Sequence, residues 1–247
     1  EYVWDAADTT TPVQGLIVQR AAGGAGRWRL QWSGRLSVRQ TGAVLGTSGD
    51  NASAFQAAVD HAPHVLIPGG HGDYRIDSVI RLTRNRIIEG DSPTESVVRQ
   101  YSDVSGFVCD ETVDAVLVRD IVIRDLTIRK QTETATTGIA GIHLRGTANN
   151  VWGAVIERVH ALDFYDGVRI DRPILTKIEN VDAASNVRDG IHITGGGTST
   201  FLAYCFARTN GRDGYHLETS LQYCAFTACA GDVNGRHGYW LGGGSTF

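Results

Sequence analysis

The 247 residues contain no methionine and only five prolines, and no window holds 18 consecutive apolar residues. The last absence excludes a transmembrane helix, and no membrane insertion is expected. The missing methionine includes the initiator, and no charged-then-apolar leader opens the chain, so a processed chain or an excised fragment is expected. A basic excess is absent too. The 23 Lys and Arg against 27 Asp and Glu give a formal charge of −4, with a pI near 6.1. That leaves no electrostatic footprint for nucleic acid. The four cysteines, Cys109, Cys205, Cys224 and Cys229, lack zinc or redox spacing, because the Cys224/Cys229 pair has no second pair at metal-site distance. They read as buried free thiols that demand no oxidising compartment. Gly195-Gly196-Gly197 is followed by neither Lys-Ser/Thr nor a helix, so it is no phosphate loop. No carboxylate run matches a calcium loop. Neither a metal nor a cofactor is expected.

Glycine is abundant, at 30 residues, and part of it recurs in one phrase: DFYDGVRID, NVRDGIHIT, NGRDGYHLE and NGRHGYWLG. The shared glycines, Gly167, Gly190, Gly214 and Gly238, lie 23, 24 and 24 positions apart (190−167, 214−190, 238−214). A fixed period of this size indicates a solenoid. After each glycine an apolar–polar–apolar triplet predicts a strand with one buried face: Val168-Arg169-Ile170, Ile191-His192-Ile193, Tyr215-His216-Leu217, Tyr239-Trp240-Leu241. The glycine itself is expected to supply a φ-permissive corner. Val181, Cys205 and Cys229 form a second apolar row, and Ile178, Leu202 and Phe226 a third, so Cys205 and Cys229 should be stacked core neighbours. No leucine frame and no helix appear within the period, which disfavours leucine-rich repeats. The expected fold is all-β, a right-handed single-stranded parallel β-helix. Val118–Lys130 and Ala140–Gly146 read as earlier coils, with Thr132–Gly138 protruding between them.

The front end differs. Phe55, Ala58, Val59 and Ala62 make a helical stripe within residues 51–62, with Asp50, Asn51 and Ser53 as competent N-caps and Pro63 as the stop. An open β-helix end exposes unpaired backbone, and this short helix can cover it. GDNASAFQAAVD, then VLIPGGHGDYRI, then IIEGD resembles the opening of the pectate-lyase-like β-helix superfamily. The preceding YVWD…GRWRLQWSGRLSVRQTGA resembles the lead-in of bacteriophage tailspikes. The expected division is a lead-in over 1–45 and a β-helix over 46–247. The resemblance implies a homotrimeric, carbohydrate-recognising β-helix, on a virion tail or extracellular. Relatives commonly continue for more coils, so truncation at the C-terminus is expected.

In a β-helix, equivalent positions of successive coils stack at roughly 4.8 Å. The outward positions then form two columns. One is His143, Arg169, His192, His216, Trp240; the other is Arg145, Asp171, Thr194, Glu218, Gly242. Imidazole, guanidinium, carboxylate and an exposed indole suit a polysaccharide surface. Asp171 and Glu218, two coils apart, could serve as an inverting carboxylate pair. His192 and His216 beside them could carry protons near neutral pH. Trp240, Arg169, His143 and Arg145 are the substrate-binding candidates. A third column, Asp166, Asp189, Asp213 and His237, is flanked by Arg188, Arg212 and Arg236. Either arginine and aspartate neutralise each other along it, or Asp189 and Asp213 form a like-charge pair with one raised pKa and act as catalytic acids. Asn186, Asn210 and Asn234 read as an amide ladder. The function expected is a tailspike-type protein that binds and cleaves bacterial surface polysaccharide. A non-catalytic glycan-binding spike is the alternative, and so is a bacterial polysaccharide lyase or epimerase, although few arginines line the face to attract an acidic glycan.

Overall fold

Strands whose alternate side chains must be buried on one face close the chain into stacked coils. The computed structural model describes residues 1–12, 15–19, 24–114, 117–132, 135–218, 220–244 and 246. Over them the chain is a right-handed parallel β-helix of about seven turns with a short helix near its N-terminal end. Three parallel sheets form its walls. The glycine-bearing strands make a seven-stranded sheet running from Ile80–Arg81 through Phe107–Asp110, Ala140–Arg145, Asp166–Asp171, Asp189–Thr194 and Asp213–Leu217 to His237–Leu241. A longer sheet opposite contains Ile121–Lys130, Val155–Leu162 and Lys177–Ala184. A narrow sheet from Val151–Trp152 to Leu221–Gln222 forms the third wall.

The register follows the period. Val168 pairs with Ile191, Ile191 with Tyr215 and Tyr215 with Tyr239. Ile178 pairs with Leu202 and Leu202 with Phe226. Most of these side chains are fully buried, each contributing about 1.5–3 kcal/mol. Cys205 and Cys229 are neighbours on adjacent coils, as expected, with the Ala230 N–H donating to the Cys205 carbonyl (2.9 Å).

The glycines serve a different purpose from the one expected. Gly167, Gly190, Gly214 and Gly238 lie inside strands, and none has a positive φ. Their hydrogen side chains permit close approach. A Cβ on Gly190 would meet the Gly214 carbonyl oxygen at 2.7 Å and Asn210 Nδ2 at 2.8 Å. The left-handed turns fall instead on Ser185, Thr209 and Val233, each immediately before an asparagine of the ladder.

That ladder is built as expected. Asn210 Nδ2 donates to the Ala183 carbonyl (3.0 Å) and to Asn234 Oδ1 (3.0 Å), while its Oδ1 accepts from the Asn186 backbone N–H (3.1 Å) and Nδ2 (2.9 Å). Asn186 and Asn210 are buried, so truncation strands several polar groups at once. Asn210→Ala should cost about 2 kcal/mol, read as a lower denaturation midpoint. Asn210→Asp should not restore it, because a carboxylate cannot donate to Ala183.

The helix spans Ala52–His61 and buries Phe55, Ala58 and Val59. Asp50, not Asn51, caps it by accepting from the Ala52 N–H (2.9 Å). Asn51 Oδ1 is engaged by the Val44 N–H (2.7 Å). Phe55 packs edge-on against Tyr74 (centroids 5.5 Å apart), placing the helix over the first coils. The lead-in begins with a three-stranded antiparallel sheet, Tyr2–Asp5, Arg27–Leu30 and Ile17–Gln19. Its later residues Leu36–Ser37 already pair with Val65–Leu66 of the long sheet. Of the predicted loop Thr132–Gly138, Glu133 and Thr134 lie outside the described residues. Thr136 touches the preceding coil through Asp103 Oδ1 (3.1 Å).

Candidate functional site on the glycine-strand sheet

The predicted columns exist. His143 pairs with Arg169, Arg169 with His192, His192 with His216, and His216 with Trp240. Arg145 pairs with Asp171 and Asp171 with Thr194, whose hydroxyl donates to Glu218. The column residues therefore follow one sheet, with Glu218 just past the strand that ends at Leu217, while Asp189 and Asp213 are fully buried at the starts of the strands that carry His192 and His216.

Their exposure departs from expectation. His192 and His216 are 2% and 5% exposed. Stacking on a parallel sheet lets each side chain cover the next. The two imidazoles meet edge-on (centroids 4.9 Å, interplanar angle 87°), and His216 lies flat on Trp240 (4.2 Å, 19°). Arg145 remains open and donates to Asp110 Oδ2 (3.2 Å). Glu218 keeps 41% of its side chain in solvent and is the strip's most accessible carboxylate among the two columns.

Beside the imidazoles runs an arginine–aspartate ladder whose carboxylates are buried and whose guanidinia are partly exposed. Arg188 grips Asp166 through Nε (2.9 Å) and Nη2 (2.6 Å); Arg212 grips Asp189 through Nε (2.8 Å), and Arg236 grips Asp213 through Nε (3.0 Å). Two of the guanidinia also lean on an adjacent acid: Arg188 Nε is 3.0 Å from Asp189, and Arg212 Nε is 3.3 Å from Asp213. The like-charge reading of Asp189 and Asp213 is therefore corrected, because the Arg212 guanidinium contacts both carboxylates. Burial works to raise the Asp213 pKa, but Arg236, His216 and His237 outweigh it and hold the carboxyl well below its usual range. Asp213 is not an acid poised to give up a proton.

The ladder also orients the imidazoles. Asp166 Oδ2 lies 3.2 Å from His192 Nδ1, and Asp213 Oδ2 lies 2.9 Å from His216 Nδ1. His192 Nε2 in turn reaches Glu218 Oε1 at 3.3 Å. The result is a chain from buried Asp166 through His192 to solvent-facing Glu218. Burial lowers the His216 pKa despite Asp213, favouring the neutral ring. For Glu218, burial pushes upward but the Thr194 hydroxyl and His192 prevail, leaving it lowered. Asp171 follows the same pattern: burial opposes ionisation, while His143 Nε2 (3.1 Å) and Arg169 Nε (3.0 Å) overcome it. Asp171 and Glu218 are thus both held as carboxylates, with Thr194 between them. Neither is kept protonated, as the acid of an inverting pair must be. Sequence reasoning misses Asp110 beside Arg145, and it places Asp166 in the third column without foreseeing that it orients His192.

Cavities of about 300 and 410 Å³ lie away from the strip, beside Leu30 and Trp32 and beside Asn150 and Trp152.

No protein-family model matches the sequence, and no curated protein matches it. Solved structures do match in fold. The shared architecture is the parallel β-helix of phage tailspikes and polysaccharide-active enzymes. Among them is the tailspike gp42 of Acinetobacter phage vb_AbaP_AS12, with a TM-score of 0.72 and 16% identity over 91% of this chain and 40% of that one. The tailspike gp49 of Acinetobacter baumannii bacteriophage Fri1, a capsular polysaccharide depolymerase, aligns at 0.69 and 14% over 94% and 47%. The catalytic unit of a GH87 α-1,3-glucanase from Streptomyces thermodiastaticus strain HF3-3 aligns at 0.57 and 16% over 90% and 45%. The present chain thus spans less than half the length of each.

Proposed function

We propose that the chain is the β-helical part of a tailspike-type protein, a homotrimer on a virion tail or outside the cell, that binds and cleaves a bacterial surface polysaccharide. The observation that carries this reading is the Asp166–His192–Glu218 chain ending in a solvent-facing carboxylate, one coil from Trp240. An ionised Glu218 accepts a proton from water or a sugar hydroxyl, and His192, held by Asp166, positions its carboxylate. Asp171 supplies a second carboxylate two coils away. Arg145, Arg169 and His143 offer hydrogen bonds to hydroxyls, and the indole of Trp240 offers a stacking surface. The fold neighbours support a polysaccharide substrate, since they include a capsular depolymerase and a glucanase.

A second reading, β-elimination or epimerisation, is favoured by one observation. Asp166, Asp171, Asp213 and Glu218 are all held ionised, which suits proton abstraction better than proton donation.

Incubation with capsule or lipopolysaccharide followed by chain-length analysis tests the proposal. Glu218→Gln should slow cleavage by about 100-fold or more, and Trp240→Ala should weaken binding. A gain in ultraviolet absorbance identifies elimination, and new reducing ends without it identify hydrolysis. Saturable binding without cleavage leaves a recognition spike, and cleavage intact in both Asp171→Asn and Glu218→Gln removes the strip from the chemistry.

A further inference from the structure

Two imidazoles and one carboxylate converge where the two columns meet. His192, His216 and Glu218 each offer a ligand atom, and these atoms lie within 4.8 Å of one another. Both histidines place Nδ1 against a buried carboxylate, Asp166 at 3.2 Å and Asp213 at 2.9 Å. An N–H donated there leaves Nε2 with a free lone pair, and such carboxylate–imidazole pairs are the usual outer support of a metal-ligating histidine. Arg188 and Arg212 also donate toward the two Nδ1 atoms, which favours a lone pair there, so cation binding at Nε2 requires the imidazole proton to sit on Nδ1 and face aspartate instead.

Charge singles out this trio. The neighbouring groups Asp166/Asp189/His192 and Asp189/Asp213/His216 also converge, but Arg188 and Arg212 already fill them with cationic guanidinium. Each aspartate of the ladder is already paired with an arginine. Glu218 is the partly exposed member, which opens the trio toward solvent.

We propose that His192, His216 and Glu218 form a binding site for a zinc-class divalent cation, with Asp166 and Asp213 orienting the two imidazoles. Two nitrogens and one carboxylate suit zinc or cobalt rather than calcium or magnesium, which take all-oxygen sets. Three protein ligands leave a position open to water or to a ligand oxygen, as in catalytic zinc sites. The site does not depend on the carbohydrate reading, because the chain can be tested with cation alone.

The test is calorimetric titration of chelator-treated protein with Zn²⁺, with Co²⁺ as a spectroscopic probe and Ca²⁺ as a control. The expected result is one equivalent of Zn²⁺, a visible Co²⁺ absorption band and a Tm rise with Zn²⁺, none of which Ca²⁺ produces. Glu218→Gln, at a partly exposed position, should keep the fold by circular dichroism and weaken Zn²⁺ binding at least tenfold. His216→Ala should abolish the Co²⁺ band, and His71→Ala, at an exposed site away from the trio, should change nothing. Failure of the wild-type chain to bind Zn²⁺, or unchanged binding in Glu218→Gln, overturns the proposal. Neither outcome bears on polysaccharide cleavage, which is measured separately.

Discussion

Gly190→Val should lower the melting temperature by roughly 6–12 °C, a loss of about 3 kcal/mol or more for a chain of this size. The new Cβ meets the Gly214 carbonyl oxygen at 2.7 Å, Asn210 Nδ2 at 2.8 Å and Ala207 Cβ at 3.0 Å. The first is backbone of the next coil, and the second is a rung of the asparagine ladder. Neither can retreat without separating coils, so the strain reaches the strand pairing that carries His192 and His216. Solenoid stability is a sum over neighbouring repeats, and a break in one coil uncouples the stacks on either side. Gly243→Ala is the control: nothing lies within 4 Å of its Cβ position, so the change should stay within about 0.5 kcal/mol. Circular dichroism melts of both variants check the prediction. A Gly190→Val melt within two degrees or so of wild type would mean that the coils yield where close contact is inferred.

The second large effect belongs to Arg212. Its guanidinium lies 2.8 Å from Asp189, 3.3 Å from Asp213 and 2.6 Å from His216 Nδ1. Both aspartates are fully buried. Arg212→Ala leaves their charge undercompensated and should cost about 3–5 kcal/mol. The double variant Arg212→Leu/Asp189→Leu removes both charges and should recover much of that loss, since paired buried charges can be replaced by apolar groups at little net cost. Denaturant unfolding of the single and double variants gives the coupling. Additive losses would show that Arg212 stabilises by packing alone.

Much of this fold is legible from one glycine-centred phrase, because a solenoid converts periodic spacing into spatial adjacency. Once Gly167, Gly190, Gly214 and Gly238 are aligned, the columns of His192, His216 and Trp240, the Cys205–Cys229 contact and the asparagine ladder all follow. What does not follow is why a residue type is needed. Glycine is compatible with both a positive φ and a close approach, and only the coil above decides between them. Exposure is equally hidden: polar positions of a strand read as solvent-facing, yet stacking buries His192 and His216. For Asp189 and Asp213 the sequence allows both neutralisation by the flanking arginines and a like-charge pair, and only the contacts of Arg212 with both carboxylates favour the first. The His192/His216/Glu218 cluster has no spacing motif, since its members come from two coils. The antiparallel sheet of Tyr2–Asp5, Ile17–Gln19 and Arg27–Leu30 carries no period and is visible in the sequence only as a lead-in by resemblance.

The central claim is that glycan engages the polar strip of the glycine-strand sheet. A crystal structure with an oligosaccharide drawn from a polysaccharide that the chain binds tests it most directly. The account predicts a sugar ring in contact with Trp240 and a hydroxyl hydrogen-bonded to Glu218. A sugar seated on another wall, with Glu218 and Trp240 untouched, would contradict it.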